Sequence, residues 1–340
     1  MAKKKTTNAV RELQYREALN EAFKEEMRRD PTVFVMGENI GERGGSFKVT
    51  VDLIHEFGPE RVIDTPLAEA SFTGVGVGAA ITGMRPVVEI LFIDFTTLIM
   101  DQIVNQAAKA RFMSGFKTKV PFVLRTQGGS GNGLAAQHSQ NLEAWYYHTP
   151  GLKVVMPATP YDAKGLLKSA IRDDGPVIFL EHKLLYQTKG PVPEDDYLVE
   201  LGKADIKRSG RDVTIIVWSH MLLHALEAAE KLAQEGVDAE VIDLRTLSPL
   251  DKECILESVK KTEHVVIAQE AIRRGGVASD IASIIQQEAF DYLDAPIEIV
   301  AGYNTPIPFN LHLEKICTPH ADEICAAAKK AVYAVKTMSA

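Results

Sequence analysis

What most constrains this chain is an alternation of short apolar runs with longer stretches at helical spacing. Between residues 13 and 27 the apolar residues Leu13, Ala18, Leu19, Ala22, Phe23 and Met27 recur at about helical spacing, until Arg28-Arg29-Asp30-Pro31 breaks the pattern. A buried strand at 33–36 follows, ending in the turn Gly37-Glu38-Asn39. Strands at 61–64, 86–90, 121–125, 153–156 and 177–181 then alternate with helices at 74–82, 100–112 and 161–171. Such an order predicts an α/β fold, a doubly wound parallel sheet covered on both faces.

The alternation lapses at Thr188, where Gly190, Pro191 and Pro193 stand among charged residues. It restarts with strands at 213–218, 239–244, 265–269 and 297–300 and helices at 222–234, 252–260 and 278–288. We therefore expect two doubly wound domains, 10–187 and 198–340, joined by a linker at 188–197. A length of 340 residues suits two such cores.

Composition excludes several classes. A net charge of -8 argues against a protein that coats nucleic-acid phosphates, and Lys3-Lys4-Lys5 reads as a solvated tail. Cys254, Cys317 and Cys325 form no Cys-x-x-Cys pair, so neither a disulfide framework nor a structural zinc site is expected. The N-terminus lacks a long apolar stretch and no other apolar run reaches bilayer length; a cytoplasmic protein without membrane contact is the expectation. There is no Walker-type loop, no His-Glu-x-x-His and no Gly-x-Ser-x-Gly elbow. Gly74-Val75-Gly76-Val77-Gly78 does not end a hydrophobic strand and its third glycine comes one position early. It reads as close helix packing through small residues, not as a dinucleotide loop.

The specific signal lies in longer strings: Gly44-Gly45-Ser46-Phe47-Lys48-Val49-Thr50, Asp64-Thr65-Pro66-Leu67-Ala68-Glu69, Ala79-Ala80-Ile81-Thr82-Gly83-Met84-Arg85-Pro86 and Ala135-Ala136-Gln137-His138-Ser139-Gln140. Pro150-Gly151-Leu152-Lys153-Val154-Val155 and the run from Ala163 to Asp173 continue the series. In this order they resemble the beta subunits of the heterotetrameric thiamine-diphosphate-dependent 2-oxo acid dehydrogenases, with the pyruvate branch nearest. That resemblance spans about residues 12–335. It implies a transketolase-like pyrimidine-binding domain followed by a transketolase C-terminal-like domain.

By position, the resemblance makes Glu69 the carboxyl group that hydrogen-bonds the aminopyrimidine ring nitrogen. A carboxyl that keeps its proton in an apolar pocket favours the tautomer that can deprotonate the thiazolium carbon. Phe95 and Leu91 fall where the family packs the pyrimidine, and Glu38 matches an acidic residue lining the same channel. His138 falls on the histidine beside the channel used by substrate and lipoyl arm, placed to stabilise charge or give a proton. His148 and His182 read as structural. A structural potassium ion is implied on the main-chain carbonyls of Phe122, Ala170, Ile171, Asp173 and Gly175, although the family's last position is often Asn.

The Gly-Asp-Gly…Asn motif that binds magnesium and the diphosphate is absent from this sequence. Magnesium is accordingly expected mainly on an alpha subunit, in an alpha-two beta-two heterotetramer serving a dihydrolipoyl acyltransferase core and its lipoyl domain. Acetoin and branched-chain 2-oxo acid dehydrogenases share these strings and remain alternatives; the run from Val213 to Leu250 resembles the acetoin enzymes. A nicotinamide dehydrogenase lacks its glycine fingerprint here, and a non-catalytic assembly subunit would have no need of Glu69 and His138.

Overall fold

The computed structural model describes residues 11–338; the basic run Lys3-Lys4-Lys5 lies outside the described residues. The first half comprises β1 (Arg11–Gln14), α1 (Tyr15–Arg29), β2 (Val33–Gly37), α2 (Leu53–Phe57), β3 (Val62–Asp64), α3 (Glu69–Ile81), β4 (Arg85–Ile90), α4 (Ala108–Met113), β5 (Val123–Gly128), α5 (Glu143–Tyr147), β6 (Lys153–Val155), α6 (Pro160–Arg172), β7 (Val177–His182) and β8 (Lys189–Val192). The second comprises β9 (Asp205–Arg208), β10 (Val213–Val217), α7 (Met221–Gln234), β11 (Ala239–Asp243), β12 (Thr246–Ser248), α8 (Lys252–Thr262), β13 (Val265–Ile272), α9 (Val277–Glu288), β14 (Glu298–Gly302), α10 (Leu311–Cys317) and α11 (Ala321–Met338).

Two large sheets result, in the orders β12-β6-β7-β5-β4-β2-β3 and β14-β13-β10-β11-β9, beside a two-stranded pair of β1 and β8. Within the large sheets all pairs are parallel except those made by the edge strands β12 and β9. Strand periodicity sends alternate side chains to opposite faces. Val33, Val35, Val87 and Val123 meet α1 and α6 on one face of the first sheet. From the other face Met36, Val88, Ile90 and Leu124 meet Phe72 and Val77 of α3, and the same core continues into Ile216, Ile242 and Ile267 of the second sheet. The halves therefore share one apolar core, and α7 and α11 cover the far face of the second sheet.

Local chemistry sets the helix starts. The Gln14 amide donates to Glu17 Oε2 at 2.8 Å, closing a capping box ahead of α1. Thr159 Oγ1 accepts from the amide of Asp162 at 3.1 Å, with Pro160 at the first position of α6.

Three segments differ from the sequence reading. The stretch from 188 begins with β8, which pairs antiparallel with β1. The helix read as beginning at Gly74 begins at Glu69. The helix read over 100–112 is a π segment (Asp101–Ala107) running into α4, and a 3-10 segment (Ile93–Ile99) precedes it. Buried Ile99, Ile103 and Ala107 stand four residues apart, a spacing that a wider turn keeps on one face. As for the glycines of α3, a Cβ on Gly76 would stand 2.6 Å from Val88 Cγ2, so that glycine serves close packing on the sheet, whereas Gly78 faces open space.

Candidate functional site

In a doubly wound sheet, ligands bind beyond the carboxyl ends of the strands where the strand order reverses. In the first sheet that reversal falls between β2 and β4. Glu38 follows β2, Glu69 opens α3 just after β3, and Leu91, Phe92 and Phe95 follow β4. His138 sits on the glycine-rich loop leaving β5. All five residues that the resemblance marks for chemistry or cofactor lie at this one end of the sheet.

They form two groups. Glu38 is 7% exposed, and its Oε1 is buried without a hydrogen-bond partner. Burial pushes its carboxyl above the usual range, and the charges of Glu69 and Glu89 push the same way. Glu69 is half-buried at the first position of α3. The second group is aromatic. His138 meets Phe92 edge to face at 4.9 Å and Phe95 at 5.3 Å, and the two phenyl rings meet each other at 5.8 Å. Phe95 and Leu91 are half-buried, leaving apolar surface at the same strand ends.

Beneath the site lies a buried ionic network. Arg125, 1% exposed, bonds Glu89 through Nη1 and donates from Nη2 to Glu181 Oε2 at 2.6 Å. Tyr186 donates to the same Glu181 oxygen at 2.6 Å and stacks on Phe47 at 4.7 Å; Phe47 in turn meets Phe92 at 6.2 Å. Burial raises both carboxyl groups against the pull of Arg125. This layer fixes the floor under the aromatic group.

The loop carrying His138 is held from the second domain. Ser130 donates to Glu270 Oε1 through its amide (2.8 Å) and its hydroxyl (2.9 Å), while the amides of Gly131 and Gly133 donate to Glu314, each at 2.8 Å. His182 Nδ1 accepts from the amide of Leu184, which leaves Nε2–H to donate to Glu270 Oε2 at 2.7 Å. His182 is thus structural. Gly129, at φ +87°, is required beside it, because a Cβ there would lie 1.9 Å from His182 Nε2. His148 is exposed at the end of α5 and joins none of these groups.

Four of the five carbonyls read as a potassium site accept hydrogen bonds from within the chain. Arg85 Nη1 donates to the carbonyls of Ile171 (3.0 Å) and Asp173 (2.9 Å), Val177 N donates to Phe122, and Asp173 N donates to Ala170. Lys153 bonds the Asp173 carboxylate at 2.5 Å, and Asp174 is paired with both Lys119 and Arg85. Arg85 thus stands against two of these carbonyls, an arrangement that only carbonyl directions could have revealed. Phe92, Lys183, Glu270 and Glu314 were missed for another reason. Each is an ordinary residue with at least one partner far away in sequence, Ser130 and Glu270 being 140 positions apart.

The fold and this strand-end crevice define a two-domain, transketolase-like chain. Residues 11–189 match the family described as "Transketolase, pyrimidine binding domain" and residues 202–324 match "Transketolase, C-terminal domain". The chain belongs to the beta subunits of the 2-oxo acid dehydrogenases. It is 51% identical to the pyruvate dehydrogenase E1 component subunit beta of Rickettsia felis, covering 94% of this chain and 98% of that one. It is 48% identical, with the same coverages, to the 2-oxoisovalerate dehydrogenase subunit beta of Bacillus subtilis. Among solved structures, a split-gene transketolase described as an inactive beta4 tetramer superposes with a TM-score of 0.78 at 25% identity, over 94% of this chain and 98% of that one. No helix among the described residues is long and apolar enough to cross a membrane.

Proposed function

We propose that this chain is the beta half of a pyruvate dehydrogenase, and that it builds with an alpha subunit a shared site for thiamine diphosphate. The observation that carries the reading is the unpartnered, buried Oε1 of Glu38 beside Glu69, with half-buried Phe95 and Leu91 at the same strand ends, at the β2/β4 reversal. A flat ring bearing hydrogen-bond donors and acceptors fits an orphaned carboxyl oxygen with apolar surface at the same strand ends. When bound, the cofactor supplies the carbon nucleophile that decarboxylation of a 2-oxo acid requires.

The chain's own residues have separate tasks. Glu69 would hydrogen-bond the ring nitrogen, Glu38, its carboxyl raised by burial, would stand beside it, and Phe95 and Leu91 would exclude water. His138, wedged between two phenyl rings, would stabilise charge or give a proton as the acyl group passes to a lipoyl sulfur. With no diphosphate motif in the sequence, magnesium and the diphosphate fall to the alpha partner, and the expected assembly is an alpha-two beta-two heterotetramer. A dihydrolipoyl acyltransferase core would accept the product through its lipoyl domain. Three unpaired cysteines support a reducing, cytoplasmic setting.

Calorimetric titration tests the shared site. Thiamine diphosphate with magnesium should bind the alpha-beta assembly well and this chain alone negligibly, and tight binding by the chain alone would overturn the reading. Parallel turnover of pyruvate, acetoin and branched 2-oxo acids tests the substrate. The comparison is needed because an acetoin oxidoreductase beta subunit of Cupriavidus necator is 49% identical over 94% of this chain.

A further inference from the structure

We propose that Lys183 is a positioning residue for His138: its ammonium, buried under the glycine-rich loop, fixes the His138 carbonyl and thereby the place of the imidazole between Phe92 and Phe95. The inference rests on the role of His138 given above.

Lys183 opens a short 3-10 turn after β7 and is 5% exposed. Its Nζ donates to the carbonyl of His138 and lies 5.4 Å from the centroid of Phe92. Phe92 is itself the ring that meets His138 edge to face at 4.9 Å. Ammonium, phenyl ring and histidine therefore close a triangle, in which one cation holds both the backbone of His138 and the ring its side chain packs on. The loop's other ties flank this point without reaching the His138 carbonyl: Gln140 Nε2 donates to Asp94 Oδ1 at 2.8 Å, and the amide of Gly129 donates to Gln140 O at 3.1 Å. The loop's clamps to Glu270 and Glu314 lie at 130–133, Ala135 takes the left-handed conformation at φ +61°, and the amide of His138 reaches Ala135 O only at 3.4 Å.

Burying a lysine is costly unless the charge is paired. Among the described residues no carboxylate lies within ion-pair distance of Lys183. Asp94 beside the 3-10 segment, Glu270 on β13 and Glu314 on α10 act on it only from a distance, and burial outweighs them, lowering the ammonium to about 8. A cation kept in so unfavourable a place, with a carbonyl and a ring face as its contacts, fits a part that aims a reacting group. Its charge is present below about pH 8 and lost above, so the grip on His138 weakens on the alkaline side.

The test uses the assembled alpha-beta enzyme with pyruvate and a lipoyl domain. Single-turnover acylation of the lipoyl group is followed against pH, alongside decarboxylation with an artificial electron acceptor that bypasses the lipoyl step. Lys183→Met should slow acylation by about 100-fold, the order expected for a misplaced reacting group, and abolish the alkaline limb near pH 8. Decarboxylation should fall far less. Lys183→Arg keeps a cation at all accessible pH, and should retain most of the rate while moving the limb upward. An unmoved limb in Lys183→Arg overturns the proposal, even if Lys183→Met does not fold. So does a normal acylation profile in Lys183→Met when His138→Ala is impaired, since lysine then merely fills space. If His138→Ala acylates normally, the role of His138 fails first and the proposal falls with it.

Discussion

The two sheets follow one topological rule and use it differently. In the first, the reversal between β2 and β4 opens onto a carboxyl oxygen with no partner and rings that are only half covered. In the second, strand order reverses between β10 and β13, and the corresponding carboxylate, Glu270 on β13, is fully engaged by Ser130 and His182 of the first domain. One crevice keeps its polar groups free for a ligand; the other closes its polar groups upon the neighbour. The same fold can therefore be a site or a buttress, and the bookkeeping of hydrogen bonds distinguishes them.

The buttress can be broken outright. Glu270→Ala leaves the His182 donor and the Ser130 amide without an acceptor, a loss of about 1–3 kcal/mol for each buried donor left unsatisfied. Urea denaturation measures it, and a change under 1 kcal/mol would mean that the second crevice is no clamp. The opposite profile is expected of the first crevice. Glu69→Gln should lower turnover of the assembled enzyme by about 100-fold or more while leaving denaturation nearly unchanged. Equal damage to stability and turnover would erase the contrast.

A pH series sharpens it further. His220, at the start of α7, stacks on His182 at 4.5 Å and meets His224, which in turn meets His320. Burial, aided by the neighbouring imidazoles and opposed by Glu270, lowers its pKa to about 3. Folding therefore excludes a proton that the unfolded chain binds near its ordinary value of 6.5. The stability this group contributes is complete above pH 6.5 and is lost as pH falls toward 3. At most, one such group gives about 1.4 kcal/mol per pH unit. His220→Asn should flatten the slope of stability between pH 6 and 4, as read by thermal melts; an unchanged slope would assign it to other groups. The smallest effect is expected on α3. Gly78→Ala places a methyl group in open space and should stabilise the isolated chain by about 0.5–1 kcal/mol, whereas Gly76→Ala meets Val88 and should destabilise it. Paired melts of the two variants compare them directly.

Much of this was legible from residue order. The parallel strands are short apolar runs bounded by Gly, Pro and Asp, and the acidic and aromatic residues of the first crevice stand immediately after them. The start of α3 was hidden because Glu69-Ala70-Ser71-Phe72-Thr73 carries no apolar period. Only tertiary contact could show that Glu38 lacks a partner while Glu270 has three, or that Arg85 reaches the carbonyls of Ile171 and Asp173. Residue type gave no warning of Lys183, since an isolated lysine after a strand reads as surface.

Strand β12 has a consequence for the order in which the protein can be made. It comes from the second half yet pairs with β6 at the edge of the first sheet, through Thr246↔Val155 and Ser248↔Val154. On the ribosome, at about 5–20 residues per second, the whole first sheet is synthesised seconds before the strand that seals its border. Meanwhile Val154 and Val155, fully buried in the finished protein, line an unpaired backbone edge of the kind that recruits other chains. A nascent chain stalled before residue 246 is thus a natural client for a chaperone, and a fragment cut at the domain boundary inherits the same open seam.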